Sequence, residues 1–225
     1  MKGIQLMNLY ILNTKDIDYN IIVDKYNQFL PHKKLDKNNK KFNKFHLLGH
    51  LLLYQALKKD FDLNIKEIEI KKNKYGKPYL SKHKLYFSIS YSNDWAICCI
   101  SKYQVGIDIE KIQDIDKEFL KYISNKSTLW IDRHSQSQLN NYFFSDWCLK
   151  ESFVKYLGIG LSYDIKKLKF EIQDDITLSI KNKKIDNLYF KVLDIIYGYK
   201  IAICMNQNKK IKISYCKKEN IYNIE

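Results

Sequence analysis

Alternating apolar and polar residues predict a half-buried strand in the middle of the chain. Val105, Ile107 and Ile109 would point into a core, while Asp108 and Glu110 would point together to the opposite face. Two carboxylates side by side on a strand repel each other unless a positive charge lies between them. Mg²⁺ binds oxygen ligands and tolerates a partly open shell, so the pattern predicts a magnesium site here. The alternative interpretation is an exposed strand with two solvated acids.

The residues before this strand have the hydrophobic spacing of helices and short strands. A basic segment from His32 to His46 leads into the second of the helices. The expected elements are a strand over 3–12, a helix over 16–30 that ends at Pro31, a buried helix over 47–57, strands over 64–71, 85–90 and 95–100, and a turn over 73–80.

After Glu110 the pattern begins again. It predicts a helix over 115–123, a loop and a helix start within 124–140, a helix over 141–157, strands over 168–172, 176–180, 188–195 and 200–204, and a final strand with a frayed tail from Lys209. Without any residue-level repeat, this order suggests an α+β fold of two similar subdomains related by pseudo-two-fold symmetry. Each would be a small, mainly antiparallel sheet packed with helices, over residues 1–104 and 105–225.

Composition limits the cellular compartments and the classes of binding partner that the sequence suggests. The 225 residues carry a net charge of +14, which can attract nucleic acid, anionic lipid, an acidic protein or a phosphorylated small molecule. Five cysteines without a Cys-x-x-Cys pair indicate reduced thiols in a cytosolic protein. The N-terminal apolar run is broken by Gln5 and Asn8, and no stretch reaches the roughly 20 apolar residues of a membrane span. We therefore expect a cytoplasmic protein that does not bind a membrane.

The helix expected over 141–157 carries further candidate chemistry. Trp147, Glu151 and Lys155 are four residues apart and would form one stripe along it. An ordinary surface pair would explain Glu151 and Lys155 equally well, and such a pair contributes a few tenths of a kcal/mol. If this face meets the Asp108 strand, however, Glu151 supplies the third carboxylate of a hard-metal site.

Four motifs in order resemble the 4′-phosphopantetheinyl transferases, in their long, monomeric, Sfp-type group. The similarity covers residues from about 30 to 164. The motifs are Tyr75-Gly76-Lys77-Pro78, then Phe87-Ser88-Ile89-Ser90-Tyr91-Ser92, then Gly106-x-Asp108-x-Glu110, and finally Trp147-x-x-Lys150-Glu151-Ser152-x-x-Lys155 with Gly158-x-Gly160-Leu161. The resemblance implies transfer of 4′-phosphopantetheine from coenzyme A (CoA) to a serine of an apo acyl or peptidyl carrier protein, with release of adenosine 3′,5′-bisphosphate.

The resemblance also implies a role for each matching residue. Asp108, Glu110 and Glu151 resemble the Mg²⁺ ligands, and Asp108, Glu151 and Lys155 would be the catalytic residues. Glu151 would be the base, and Lys155 would act on the departing phosphate. The residues implied to bind CoA are Lys33, Lys44, His46, Lys77, Pro78, Ser90, Tyr91 and Lys155. The carrier class is left open among fatty-acid, polyketide and peptide-synthetase carriers.

This sequence departs from the family pattern at four positions. Ser88 replaces an Asn, Tyr91 replaces a His, Phe45 and His46 stand where an Arg is expected, and Ser127 stands where many relatives have a Glu. A Tyr hydroxyl can donate a hydrogen bond but brings no charge. The alternatives are therefore a degenerate transferase with weakened CoA binding, a Mg²⁺-dependent nuclease, or a basic nucleic-acid-binding protein. Of these interpretations, we expect transfer of phosphopantetheine to a carrier protein, by a monomer without a nucleic-acid partner.

Overall fold

The computed structural model describes residues 7–29, 40–124, 126–160 and 163–223. The chain divides into two compact units. The first unit comprises Met1–Lys72, Pro78–Lys102 and Lys209–Glu225, and the second comprises Asn73–Lys77 and Tyr103–Asn208. This division differs from the expected one in two places. The last residues return to the first unit because their strand pairs with the opening strand, and the turn at 73–77 belongs to the second unit.

The first unit contains a four-stranded sheet and a two-stranded hairpin, together with three helices. Its strands are β1 (Met7–Asn13), β2 (Ile70–Lys72), β3 (Pro78–Leu80), β4 (Tyr86–Ser92), β5 (Trp95–Ser101) and β12 (Ile211–Cys216), and its helices are α1 (Tyr19–Phe29), α2 (Lys40–Phe61) and α6 (Lys218–Tyr222). The sheet order is β12-β1-β5-β4, in which only the β1–β12 pair is parallel. Strands β2 and β3 form a separate antiparallel hairpin. Leu47, Leu48, Leu51 and Leu52 of α2 are fully buried in the core.

A partly buried hydrogen bond joins the opening strand to the end of α2. The Tyr10 hydroxyl donates to Asp60 Oδ2 at 2.5 Å, and Lys212 Nζ lies 3.8 Å from the same oxygen. We expect Tyr10→Phe to lower the free energy of unfolding by about 1.5–3 kcal/mol, because the phenol bonds to a charged group. Chemical denaturation measures this loss. Tyr86→Phe on an exposed ring is the control and should stay within about 0.5 kcal/mol of wild type.

The same pair gives this prediction a pH dependence. Burial and the Asp60 carboxylate raise the pKa of Tyr10 well above its usual value. The native state therefore keeps this phenol protonated at a pH where the unfolded chain ionises it. The stabilisation is complete below about pH 10 and is lost as the pH rises further. Wild type should thus lose more stability than Tyr10→Phe above about pH 10, and equal losses would contradict the assignment.

The second unit contains two small antiparallel sheets and one long helix. Its strands are β6 (Val105–Lys111), β7 (Leu168–Ile172), β8 (Ile176–Ile180), β9 (Lys183–Lys184), β10 (Tyr189–Leu193) and β11 (Tyr199–Met205), and its helices are α3 (Lys117–Ile123), α4 (Thr128–Arg133) and α5 (Gln136–Leu157). The sheets have the orders β10-β11-β6 and β7-β8-β9. A capping box of Ser135 and Gln138 begins α5, and Gly158 with φ 71° ends it.

The predicted α+β class is confirmed, since each unit has small, mainly antiparallel sheets packed with helices. The expected strand over 64–71 is wrong in its first half. Asn64 accepts a hydrogen bond from Lys66 N and caps a 3₁₀ turn over Ile65–Glu67, so β2 begins only at Ile70. The expected frayed tail contains α6 instead, because Ile221 is fully buried in the core. Within the described ranges, no helix is both long and apolar enough to cross a bilayer.

Candidate functional site

Strand β6 presents its two acids to the face that α5 covers. Asp108 lies opposite Ala202 and Glu110 opposite Lys200 in the antiparallel register with β11. Asp108 is buried and Glu110 is partly exposed. The predicted strand is therefore confirmed, but Asp108 is not the solvated acid of the alternative interpretation. Its carboxylate needs a partner of opposite charge in this position.

Helix α5 lies directly against β6 because Gly106 has no side chain. A Cβ at Gly106 would overlap the main chain of α5 at Ser152 O and Tyr156 N. On the adjoining strand, Ala202 and Cys204 share a core with Cys148 and other residues of α5. This close packing brings the Glu151 and Lys155 stripe to the face that carries Asp108.

Lys155 and Asp108 form the central ion pair of this site. Lys155 Nζ donates to Asp108 Oδ1 at 2.7 Å, with side-chain exposures of 30% and 4% respectively. Burial acts to lower the pKa of Lys155, but the charge of Asp108 and its hydrogen bond outweigh burial and raise that pKa overall. Lys155 therefore remains a charged ammonium at neutral pH, which suits a group that neutralises negative charge on a leaving oxygen.

The pKa of Glu151, one turn before Lys155 on α5, is also shifted. Burial raises the pKa of Glu151, the negative charge of Asp108 raises it further, and Lys155 acts in the opposite direction. Its side chain is only partly buried, so a substrate proton could reach it. A carboxylate with a raised pKa is a better general base near neutral pH than an ordinary glutamate.

Cys148 was not singled out by the sequence as a neighbour of the acids. Its buried Sγ donates to Lys200 O at 3.4 Å, and burial together with the charges of Asp108 and Glu110 raises the pKa of the thiol. The thiol is therefore protonated and unsuited to act as a nucleophile. Both strand carboxylates therefore act electrostatically on the same residue of α5.

The carboxylates of this site are of the chemical kind that binds a hard metal ion. Among the residues that the structure describes, no group of three or more His, Cys, Asp or Glu side chains stands close enough to hold a metal. Asp108 Oδ1 accepts a hydrogen bond from Lys155 in this structure. Even so, Asp108 and Glu151 are near enough for one charge to raise the other's pKa. Carboxylate oxygens that repel each other in this way are suitable ligands for Mg²⁺.

Lys150 has a different environment from its neighbours in the motif. Its ammonium forms a buried ion pair with Asp146 at 2.6 Å, one turn earlier on α5. Burial raises the pKa of Asp146, and the charge of Lys150 opposes that shift. The four-residue spacing was visible in the sequence, but the same spacing is common on solvated helix faces. Nothing in the pattern indicated that this pair would be buried.

The predicted CoA-binding residues of the first unit lie on α2, β3 and β4. Phe45 and Tyr91, which replace the expected Arg and His, stack on each other with ring centroids 4.8 Å apart and planes 2° apart. His46 stacks on His50 at 4.5 Å. Ser90 is buried, Lys44 and Pro78 are partly exposed, and Lys33 lies outside the described residues. Two of the departures from the family pattern, Phe45 and Tyr91, thus form one aromatic pair.

The turn at 73–77 places Lys77 against the end of α5. Its Nζ donates to the carbonyl oxygens of Lys155, Tyr156 and Val105. The sequence suggested a CoA contact for Lys77, and the structure does not test that prediction. Its contact with α5 had no signal in the sequence, because residues 77 and 155 are far apart along the chain.

A buried acid, a glutamate with a raised pKa and a firmly protonated lysine on one strand and one helix are typical of an enzyme that moves protons. Residues 104–204 match the 4′-phosphopantetheinyl transferase superfamily, and residues 32–102 match the model "4′-phosphopantetheinyl transferase, N-terminal". The chain belongs to the 4′-phosphopantetheinyl transferase superfamily.

Individual members of this family are similar to the chain over much of its length. The chain is 32% identical to the 4′-phosphopantetheinyl transferase Sfp of Bacillus subtilis over 70% of this chain and 72% of that protein. It is 31% identical to the 4′-phosphopantetheinyl transferase gsp of Aneurinibacillus migulanus over 70% of this chain and 67% of that protein. A Thermotoga maritima holo-[acyl-carrier-protein] synthase structure aligns at 18% identity and a TM-score of 0.36, covering 49% of this chain and 64% of that one. The relatives from Bacillus subtilis and Aneurinibacillus migulanus do not favour the alternative interpretations.

Proposed function

We propose that the protein transfers 4′-phosphopantetheine from CoA to a serine hydroxyl of an apo carrier protein and releases adenosine 3′,5′-bisphosphate. The observation that carries this proposal is the Lys155–Asp108 ion pair with Glu151 beside it, in a chain of this family. The arrangement offers a base and a cationic acid, which are the two groups that such a transfer needs.

In the proposed reaction, Glu151 accepts the proton of the carrier serine as its oxygen attacks the phosphorus next to pantetheine. The new P–O bond joins the serine oxygen to this phosphorus, so the product is a phosphodiester. The bond that breaks joins the same phosphorus to the oxygen of the leaving adenosine bisphosphate. Lys155 neutralises the charge that develops on that oxygen or gives it a proton. Positioning and charge stabilisation account for most of the catalysis in reactions of this kind.

Asp108, Glu110 and Glu151 would hold Mg²⁺, which would offset negative charge on the pyrophosphate when bound. In the first unit, Lys44, His46, Pro78, Ser90 and Tyr91 are proposed to bind CoA, as is Lys33. Lys77, next to Pro78 in the same motif, is proposed to line the CoA site. The net charge of +14 favours encounter with an acidic carrier protein. We further propose that the protein acts as a cytoplasmic monomer, without a nucleic-acid or membrane partner.

Incubating a panel of apo carriers with the protein, CoA and Mg²⁺ should increase the mass of at least one carrier by one phosphopantetheine. EDTA should prevent this gain, and added Mg²⁺ should restore it, because the oxygen ligands select a hard cation. Intact-mass spectrometry measures the gain.

The matched control is the same carrier with its acceptor serine changed to alanine, which should stay unmodified. A gain that survives EDTA would contradict the metal assignment alone. No gain on any fatty-acid, polyketide or peptide-synthetase carrier, with a folded protein, would contradict the proposed function.

A further inference from the structure

The C-terminal end of α5 presents main-chain carbonyls that have no partner within the helix. Val154 O accepts from Gly158 N at 2.9 Å, so the helix caps this carbonyl itself. The next two carbonyls are capped by a side chain from another segment. Lys77 Nζ donates to Lys155 O at 2.5 Å and to Tyr156 O at 3.3 Å. One lysine thus bonds to two consecutive carbonyls of the last turn.

The same ammonium also reaches β6. Lys77 Nζ donates to Val105 O at 3.3 Å, at the first residue of that strand. The strand that carries Asp108 and the helix that carries Lys155 are therefore joined through one side chain. Val105 is three residues from Asp108, and Lys155 is itself one of the bonded residues.

Asn73 joins Lys77 to the end of α5. Its Oδ1 accepts from Lys77 N at 2.9 Å, and its Nδ2 donates to Gly158 O at 2.8 Å. Gln104 Nε2 also donates to the end of this helix, to Tyr156 O at 2.6 Å. A Cβ at Gly158 would lie 2.7 Å from Lys77 Cδ, so the glycine leaves room for the lysine stem. The turn and the end of α5 fit each other closely, which is unlike the loose contact of a surface lysine.

These bonds leave Lys77 little capacity to bind a phosphate. An ammonium group has three N–H donors, and three carbonyl oxygens accept from this one. Burial lowers the pKa of Lys77 to about 8. The carbonyls and the negative end of the helix favour its charged form and act against that shift.

We propose that Lys77 is a positioning residue, whose ammonium fixes the main chain of Lys155 against the start of β6 and so keeps the Lys155 ammonium on Asp108. This inference rests on the proposed function for its kinetic consequence but not for its geometry. It assigns to Lys77 a role that the resemblance did not imply, since the resemblance implied a contact with CoA.

Lys77→Met tests the proposal because methionine keeps most of the stem and removes every donor. We expect kcat to fall about 10- to 100-fold, as for a misplaced catalytic group, while KM for CoA changes less than about threefold. Lys74→Met is the matched control, because it removes a charge from the same turn at an exposed residue that lies over the Tyr75 ring. The control should retain wild-type kcat and KM. Lys77→Arg should recover part of kcat, since a guanidinium can again donate to carbonyls.

Each other kinetic outcome overturns the proposal. A rise in KM for CoA with kcat retained would make Lys77 a ligand of CoA. A lower melting temperature with both constants unchanged would make it a structural residue only. If Lys77→Met does not fold, Lys77→Arg decides, because its altered donor geometry should lower kcat and leave KM for CoA unchanged.

A measurement that needs no substrate separates this proposal from the proposed function. The ¹⁵N resonance of the Lys155 ammonium should change in Lys77→Met and stay unchanged in Lys74→Met. An unchanged Lys155 resonance in Lys77→Met would overturn the positioning role whether or not the protein modifies a carrier. Failure of wild type to modify any carrier, with the resonance change present, would contradict the proposed function alone.

Discussion

Glu151→Gln should lower kcat/KM for carrier modification by at least about 10³-fold while the protein stays folded. Removal of a general base costs about 10²- to 10⁴-fold, and the amide is also a poorer metal ligand than the carboxylate. The variant keeps the size and shape of Glu151, so substrate access should not change. Intact-mass kinetics at saturating CoA and Mg²⁺ measure the loss.

Stability should be retained in this variant for an electrostatic reason. Burial and the charge of Asp108 raise the pKa of Glu151, so the fold disfavours its ionised form. A neutral amide removes that unfavourable charge, and the free energy of unfolding should stay the same or rise. Retained stability would allow the loss of activity to be assigned to chemistry.

Glu171→Gln is the matched control, because it makes the same change on an exposed position of β7. It should transfer phosphopantetheine at the wild-type rate. Transfer by Glu151→Gln within about threefold of wild type would remove Glu151 from the proposed chemistry and leave Asp108 as the acid to test next.

The sequence predicted the parts of the site that follow from short-range spacing. Alternation placed Asp108 and Glu110 on one face of a strand, and the four-residue spacing placed Glu151 and Lys155 on one face of a helix. The structure confirms both elements. These patterns depend only on backbone periodicity, so they can be recognised in the sequence without knowledge of the tertiary fold.

Contacts between distant segments could not be predicted in this way. Lys77 bonds to carbonyls 28, 78 and 79 residues away, and a lysine in a turn resembles any solvated lysine. The stacking of Phe45 on Tyr91 likewise joins α2 to β4 across the first unit. The burial of Asp146 and Lys150 depends on what covers α5, about which helical spacing gives no information.

The predicted domain boundary, which was based on the order of elements along the chain, also differs from the structure. The repeated order of strands and helices favoured a single boundary near residue 104. In the structure, β12 pairs in parallel with β1, in register from Met7 opposite Ile211 to Leu12 opposite Cys216. A parallel partner requires a long connection, and here the whole sequence of the second unit lies within that connection. Hydrophobic alternation identifies such a strand but does not indicate its partner.

Gly106→Ala should be the most destabilising single substitution in the candidate site. The added Cβ would overlap Ser152 O and Tyr156 N and would lie 2.8 Å from Tyr156 Cα. All three atoms belong to the main chain of α5, so no side-chain rotation can relieve the overlap. We expect a loss of more than about 4 kcal/mol, the range of severe core disruption. For a chain of this size, that loss lowers the melting temperature by at least about 8 °C.

Gly198→Ala separates this packing effect from the general cost of replacing a glycine. Gly198 has φ 76°, and among the described residues no atom beyond its chain neighbours lies within 4 Å of the place that a Cβ would take. Only backbone strain of about 1–2 kcal/mol is therefore expected there. A Gly106→Ala protein as stable as Gly198→Ala would mean that α5 can move away from β6 at little cost. In that case transfer should still fall, because Lys155 would move with the helix while Asp108 stayed on the strand. Stability and transfer both unchanged would refute the role of close strand–helix packing in forming the site.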